Sequence, residues 1–118
     1  MKVIIAGSRT IDDYQPIAIA IGKSGFDISE VVSGGARGVD RLGEQFAEEN
    51  GIQIKRFLPN WSLGKFAGMK RNADMANYAD ALIAIWDGKS RGTANMITLM
   101  RTNGKQTYVH RIIENSTS

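Results

Sequence analysis

Short apolar runs, each stopped by glycine or proline, alternate along this chain with stretches whose apolar residues recur at helical spacing. That alternation limits the fold more than any other feature. Lys2–Ala6 is a continuous run closed by Gly7, the pattern of a strand buried on both faces. Asp12-Asp13 opens a helix in which Ile17, Ala18 and Ile21 recur, and Gly22 to Gly25 ends it. Ile28–Ser33 is a second strand, stopped by Gly34-Gly35. Gly38–Asn50 is a helix with Val39, Leu42, Phe46 and Ala47 on one face and Gly51 at its C-terminus. Ile52–Phe57 is a third strand, stopped before Pro59. After a loop from Asn60 to Lys65, Phe66–Tyr78 is a helix turning Met69, Ala73, Met75 and Ala76 inward. Ala81–Trp86 is the most apolar strand and is placed at the centre of the sheet; Thr93–Thr102 is the last helix and Gln106–His110 the last strand. The expected fold is α/β, a Rossmann-like three-layer sandwich with a five-stranded, mainly parallel sheet over residues 1–111, followed by a short polar tail over 112–118.

Composition removes several classes of function. The chain has 118 residues, enough for one domain. It has no cysteine, so neither disulfides nor thiolate metal sites arise. The first apolar run is too short for a signal peptide and is interrupted at Ser8-Arg9. No stretch approaches the roughly 20 apolar residues that span a bilayer, and a cytoplasmic location is expected. Fifteen Lys and Arg against twelve Asp and Glu give a formal charge of +3 without any polybasic run, which suits an anionic small molecule better than nucleic acid. The single histidine, His110, stands apart from any carboxylate cluster, so no metal is expected, and no separate cofactor.

In a parallel sheet with right-handed crossovers, the turns that follow strands share one carboxyl edge. Here these are Gly7-Ser8-Arg9, the turn Ser33-Gly34-Gly35-Ala36-Arg37-Gly38-Val39-Asp40, and the turn from Asp87-Gly88 through Ser90-Arg91-Gly92-Thr93. Glycine lets a backbone approach a ligand closely, and free N–H groups at a helix start attract phosphate. The second turn lacks the spacing of the dinucleotide fingerprint and carries no Gly-Lys-Ser/Thr; an unliganded strand–helix turn reads the same way. Ser8 is suited to donate to a phosphate oxygen and Arg9 to grip one bidentately, the alternative for Arg9 being an exposed loop residue. Thr93 is either a ligand contact or the N-cap of the last helix. Lys65 lies near a helix start, where a cation is unfavourable unless an anion sits there. Arg71 either faces the crevice beside Asn72 or pairs with Asp74 on the surface. Trp61 either stacks on a base or covers the core.

The order and spacing of these motifs, together with Pro59, Trp61, Gly64-Lys65, Ala67-Gly68, Arg71-Asn72, Ala79-Asp80 and Trp86-Asp87-Gly88, resemble the SLOG superfamily, and within it the short single-domain YspA-like branch. The resemblance runs from Lys2 to about Val109. The superfamily includes LOG-type phosphoribohydrolases, which cleave a base from a nucleoside 5′-monophosphate, DprA proteins, which bind single-stranded DNA, and proposed nucleotide sensors. It implies a Rossmann-like fold with a ligand crevice at the glycine turns. Arg71 resembles the catalytic arginine of the LOG helix, with Asn72 in place of the usual lysine. Gly92-Thr93 resembles the Gly-Thr of the LOG phosphate motif, but the glutamate expected three residues on is Met96, and Asp87-Gly88 stands where Pro-Gly-Gly would begin.

Residues and resemblance together give Gly7, Ser8, Arg9, Gly34, Gly35, Ala36, Gly38, Asp40, Lys65, Arg71, Asn72, Asp87, Gly88, Ser90, Gly92 and Thr93 as ligand-binding candidates, with Arg71 and Asp87 as catalytic ones. The leading expectation is a domain that binds or senses a phosphate-bearing nucleotide without efficient turnover. The alternatives are a LOG-type phosphoribohydrolase and a DprA-like single-strand binder. A two-fold homodimer is also expected. Helices 66–78 and 93–102 carry Phe66, Met69, Met75, Tyr78, Met96, Leu99 and Met100, more apolar positions than one face of each helix requires.

Overall fold

A computed structural model describes residues 1–112. The elements are β1 (Lys2–Gly7), α1 (Gln15–Ser24), β2 (Glu30–Ser33), α2 (Val39–Glu49), β3 (Gln53–Arg56), a 3₁₀ segment (Trp61–Phe66), α3 (Ala67–Tyr78), β4 (Ala81–Trp86), α4 (Arg91–Thr102) and β5 (Gln106–Arg111). The sheet is wholly parallel, in the order β3-β2-β1-β4-β5. β1 therefore holds the centre and β4 lies beside it. β4 is interior, as expected, paired with β1 on one side and β5 on the other, while the middle position falls to β1: both strands are apolar enough for burial on two faces, and residue type alone does not order them.

Period-two alternation sends the strand side chains into two cores. Val3, Ile5, Val31, Ala81, Ile83 and Ile85 pack with Ile17 and Ala20 of α1 and Val39 and Ala47 of α2. Ile4, Val32, Leu82 and Ala84 pack on the opposite face with Met75 and Ala76 of α3 and Met96, Ile97 and Met100 of α4. A sheet covered on both sides by helices is the three-layer arrangement of Rossmann-like folds. Between β3 and β4 the chain crosses from one side of β1 to the other, so the strand order reverses between β1 and β4. A crevice outside the carboxyl ends of the strands is expected at that point.

Several local expectations change. Asp12-Asp13 does not open α1. The helix begins at Gln15 with Pro16 in its first turn, and Asp13 Oδ1 accepts the Gln15 N–H from outside it. Proline's fixed φ suits that position. Gly22 lies inside α1, which ends at Gly25 in the left-handed region. The 60–65 loop is largely 3₁₀ helix, capped by Asn60 Oδ1, which accepts from Ser62 N–H and Oγ, and interrupted at Gly64 with φ of 62°.

The apolar positions read as surplus on α3 and α4 divide into packed and exposed ones. Met75, Met96 and Met100 are buried, and Tyr78 and Leu99 pack against the same core. Phe66 is exposed, and so is Met69, which was expected to face inward. Of the expected tail, residues 113–118 lie outside the described residues. Ile112 is not tail: its N–H donates to Trp86 O at 2.8 Å and its side chain packs on the core. Among the described residues no helix is long and apolar enough to cross a membrane.

Candidate functional site

At the carboxyl edge, where β1 and β4 end, lies a cleft of two connected lobes. The inner lobe, about 360 Å³, is lined by Ala6 to Thr10 of the β1 turn, by Gly34, Ala36 and Asp40, by Arg71, Asn72 and Met75 of α3, and by Asp87, Ser90, Gly92, Thr93 and Met96. The outer lobe, about 490 Å³, is lined by Arg9, Gly34 to Arg37, Leu58, Pro59, Trp61 and Arg71. Arg9, Gly34, Ala36 and Arg71 border both and form the neck.

The two helix starts at this edge are not equivalent. In the turn before α2, Gly35 N–H donates to Ser33 Oγ at 3.1 Å, Ala36 N–H donates to Asp40 Oδ2 at 3.1 Å, and Val39 N–H donates to Ser8 O at 3.3 Å. These amides are occupied by the protein itself, and Asp40 places a carboxylate among them. At α4 the N-cap is Ser90, whose Oγ accepts from Thr93 N–H and lies 3.0 Å from Thr93 Oγ1. The N–H groups of Arg91 and Gly92, the first two helical residues, have no partner within the helix. Asp87 Oδ1 accepts from the N–H of Lys89 and Ser90 at 2.8 and 2.9 Å and so shapes the approach to this helix. Helix N–H groups without a partner remain at both starts, those of Asp40 and Arg41 at α2 included, but at α2 the buried Asp40 carboxylate stands among them, so an anion in the inner lobe is favoured at α4.

Ser8 is almost fully buried, and its Oγ makes no hydrogen bond to any described residue. It is near enough to Asp87 to favour that carboxylate's charge, but without hydrogen-bond geometry between them. Arg71 donates from Nη1 to Gly34 O at 2.6 Å and to Phe57 O at 3.5 Å, and from Nε to Asn72 Oδ1 at 3.1 Å. Asn72 Nδ2 in turn donates to Gly92 O and Asn95 Oδ1, tying α3 to α4.

The expected Arg71–Asp74 alternative is not found: Asp74 pairs with Lys70 at 2.6 Å, one helical turn away. The ion pairs among the described residues are this one and Arg56–Glu44. Arg71 thus carries a half-buried charge supported by carbonyls rather than by a bonded carboxylate. Burial lowers its pKa below the ordinary guanidinium value, the Asp40 charge opposes that shift, and the Arg9 charge adds to it. Asp40 is raised above the usual carboxylate range by burial, against the Ala36 N–H and the Arg71 charge. Asp87 is lowered, first by the Lys89 N–H and then by the Ser90 N–H. An aspartate raised by burial is a cost to the fold at neutral pH: between its unfolded and folded pKa the folded state holds the extra proton, so its contribution to stability falls as pH rises through that window.

Most expected site residues line the cleft: Gly7, Ser8, Arg9, Gly34, Ala36, Asp40, Arg71, Asn72, Asp87, Ser90, Gly92 and Thr93 the inner lobe, and Gly35 the outer. Three do not. Lys65 lies outside both lobes, with its Nζ over the Phe66 ring. A cation near a helix start found an aromatic face instead of an anion. Gly38, at φ of 74°, faces the backbone of Ser8 and Arg9, so it joins the first two turns. Gly88, at φ of 82°, lies beneath the Arg111 guanidinium. Conversely, Thr10, Arg37, Leu58, Pro59, Met75 and Met96 line the cleft without having been selected. Trp61, which the sequence left between core cover and stacking platform, is 73% exposed at the outer lobe and is no core cover.

Residues 1–64 match the family model described as the YspA, cpYpsA-related SLOG family. The matched segment is more than half of the 118-residue chain and runs from β1 through the glycine turn before α2 to the 3₁₀ segment. Neither the curated proteins nor the solved structures give a significant match. With an all-parallel Rossmann-like sheet and this family match over its first half, the chain belongs to the YspA, cpYpsA-related SLOG family.

Proposed function

We propose that the protein binds a phosphate-bearing nucleotide or nucleotide derivative, with the phosphate in the inner lobe at the start of α4. The observation that carries this reading is the buried, unpartnered Ser8 Oγ in the lobe bordered by Thr93, Arg9 and Arg71. Leaving a buried hydroxyl unsatisfied costs about 1–3 kcal/mol, a cost that a bound acceptor would remove. A phosphoryl oxygen is such an acceptor, and the free amides of Arg91 and Gly92 with the Arg71 charge favour an anion there. Ser8→Ala tests it through opposite signs. The variant should be as stable as the wild type, or more stable by up to about 1 kcal/mol, because an orphan polar group is gone. It should bind ribose 5-phosphate about five- to tenfold more weakly by calorimetry. Unchanged affinity would remove the main support for the reading.

A second reading, a phosphoribohydrolase, is favoured by one observation: the inner lobe holds two carboxyls shifted in opposite directions, Asp40 upward and Asp87 downward. Such a split marks acid and base roles in many hydrolases. Against it, Asp87 Oδ1 is committed to two backbone N–H groups, and Met96 lines the lobe where a LOG enzyme would carry glutamate. We therefore place binding first. Incubation with AMP, GMP, CMP and an N6-substituted AMP should release no more free base than buffer does. Robust release lost in both Arg71→Ala and Asp87→Asn would reverse the order of the two readings.

A further inference from the structure

The polar side chains of the two lobes differ in kind. The inner lobe mixes donors with acceptors: Asp40 and Asp87 carboxylates, the Asn72 amide and four hydroxyl-bearing side chains, Ser8, Thr10, Ser90 and Thr93. Such a set satisfies a phosphate and the hydroxyls of a sugar, which both donate and accept. Among the described residues that line the outer lobe, no side chain is an acceptor. Its polar side chains are Arg9, Arg37, Arg71 and the Trp61 indole, and arginine and the indole N–H only donate.

The remaining outer wall is apolar and largely open. Leu58 is 69% exposed and Trp61 73%, with Pro59 between them. The Gly34-Gly35 backbone lines the lobe next to Leu58; a Cβ on Gly35 would lie 2.8 Å from Leu58 Cδ2. A large exposed indole beside exposed leucine, at the mouth of a cleft whose inner half is polar, is a surface fitted to a flat ring. The guanidinium groups at its edge add stacking and cation–π contacts.

We infer that the outer lobe is the base subsite and that it selects a 6-oxopurine over a 6-aminopurine. This rests on the reading of the inner lobe as the phosphate–ribose site: with the phosphate at α4, the ribose bridges Asp40 and Asp87, and C1′ points through the neck between Arg9 and Arg71. The base then reaches Trp61. The edge of guanine or hypoxanthine that carries O6 and N7 presents two acceptors, which a guanidinium fork meets bidentately. Adenine replaces O6 with an amino group, a donor, and so sets donor against donor in a lobe whose polar side chains offer nothing else. Arg71 commits Nη1 and Nε to the protein, so Arg37 and Arg9 are the residues placed to read this edge.

The test is calorimetric titration of the full chain with GMP, IMP, AMP and ribose 5-phosphate. GMP and IMP should bind about tenfold more tightly than AMP, and ribose 5-phosphate more weakly than GMP but measurably. Trp61→Ala should weaken GMP at least tenfold while leaving ribose 5-phosphate within twofold, and Arg37→Gln should bring GMP and AMP to near-equal affinity. Both side chains are exposed, so wild-type melting temperatures are expected and would confirm that the variants fold. Equal affinity of wild type for GMP and AMP would overturn the selectivity. Unchanged GMP affinity in Trp61→Ala would overturn the subsite. If ribose 5-phosphate and every nucleotide fail to bind, the inner-lobe reading itself fails and takes this inference with it; if ribose 5-phosphate binds as tightly as GMP, only the base subsite fails.

Discussion

Gly7→Ala should lose a large share of the stability of the fold, although it adds a single methyl group. Gly7 ends β1 and is paired with Ile85 of β4 across the centre of the sheet. A Cβ there would overlap the Ile85 carbonyl oxygen and lie 2.8 Å from Val39 Cγ2, the first residue of α2. The neighbour in conflict is backbone, so no rotamer change relieves it. Either β1 and β4 separate at their carboxyl ends or α2 lifts off the sheet. Overpacking in a rigid core costs about 1–3 kcal/mol, and a clash against strand backbone belongs at or above the upper end. Against a total of about 5–15 kcal/mol, that loss lowers the melting temperature by roughly 10 °C or more. Gly22→Ala is the matching control. Gly22 lies inside α1 with open space where a Cβ would go, so alanine there should stabilise by about 0.5–1 kcal/mol through helix propensity. Thermal melts followed by circular dichroism decide it. Equal melting temperatures for Gly7→Ala and wild type would show that the β1–β4 seam is looser than its geometry implies.

The same glycine illustrates what the sequence makes legible. Glycine after a buried strand marks a turn, and the alternation of such turns with helical periods is a local signal, so the α/β class and every strand could be read from it. The order of strands could not, because it depends on which apolar strand pairs with which. Methionine was ambiguous for a similar reason. Met75 and Met69 sit on one helix, but one is buried and the other exposed; in a helix with only modest apolar periodicity, the lines of Met, Ala and Tyr do not reveal which side meets the sheet. At the site, the turns that converge were legible because parallel topology forces them together. The division of labour between them was not. It depends on hydrogen bonds such as Val39 N–H to Ser8 O, between different turns, and Ala36 N–H to Asp40, which take up part of the amides of the glycine-rich turn before α2 and set a carboxylate among the rest. The outer lobe was also illegible as a whole: Leu58 follows β3 and Gly35 follows β2, and only the pairing of those strands brings them together.

Arg71→Ala should weaken ligand binding about a hundredfold while leaving a folded domain. Arg71 borders both lobes and is the one charge at the neck that is half-buried. Its guanidinium is held by Gly34 O, Phe57 O and Asn72 Oδ1, so it is fixed in place without being neutralised. A preorganised cation in a partly desolvated cleft gives an anion a charge-assisted contact of about 1.5–3 kcal/mol, and its removal also takes from Asp40 the positive charge that most favours its ionised form. The Asp40 carboxyl should then rise further above its usual range, and whatever negative charge it keeps would oppose the phosphate. Both effects reduce affinity, and together they approach ~3 kcal/mol, or about a hundredfold. Arg71→Lys separates them. Lysine keeps a charge near Asp40 but cannot span the carbonyls and the ligand with one planar fork, so its affinity for GMP should fall between those of wild type and alanine. Gly34→Ala reaches the same arginine without deleting it. A Cβ at Gly34 would lie 2.7 Å from Arg71 Nη1 and 3.0 Å from Asp40 Oδ2, at a backbone conformation open to alanine. It should displace the guanidinium and weaken GMP in the same direction as Arg71→Lys. If Arg71→Ala bound GMP as wild type does but melted several degrees lower, Arg71 would be a strut between α3 and the turn before α2, and the anion would have to be held by Arg9 and the α4 amides alone.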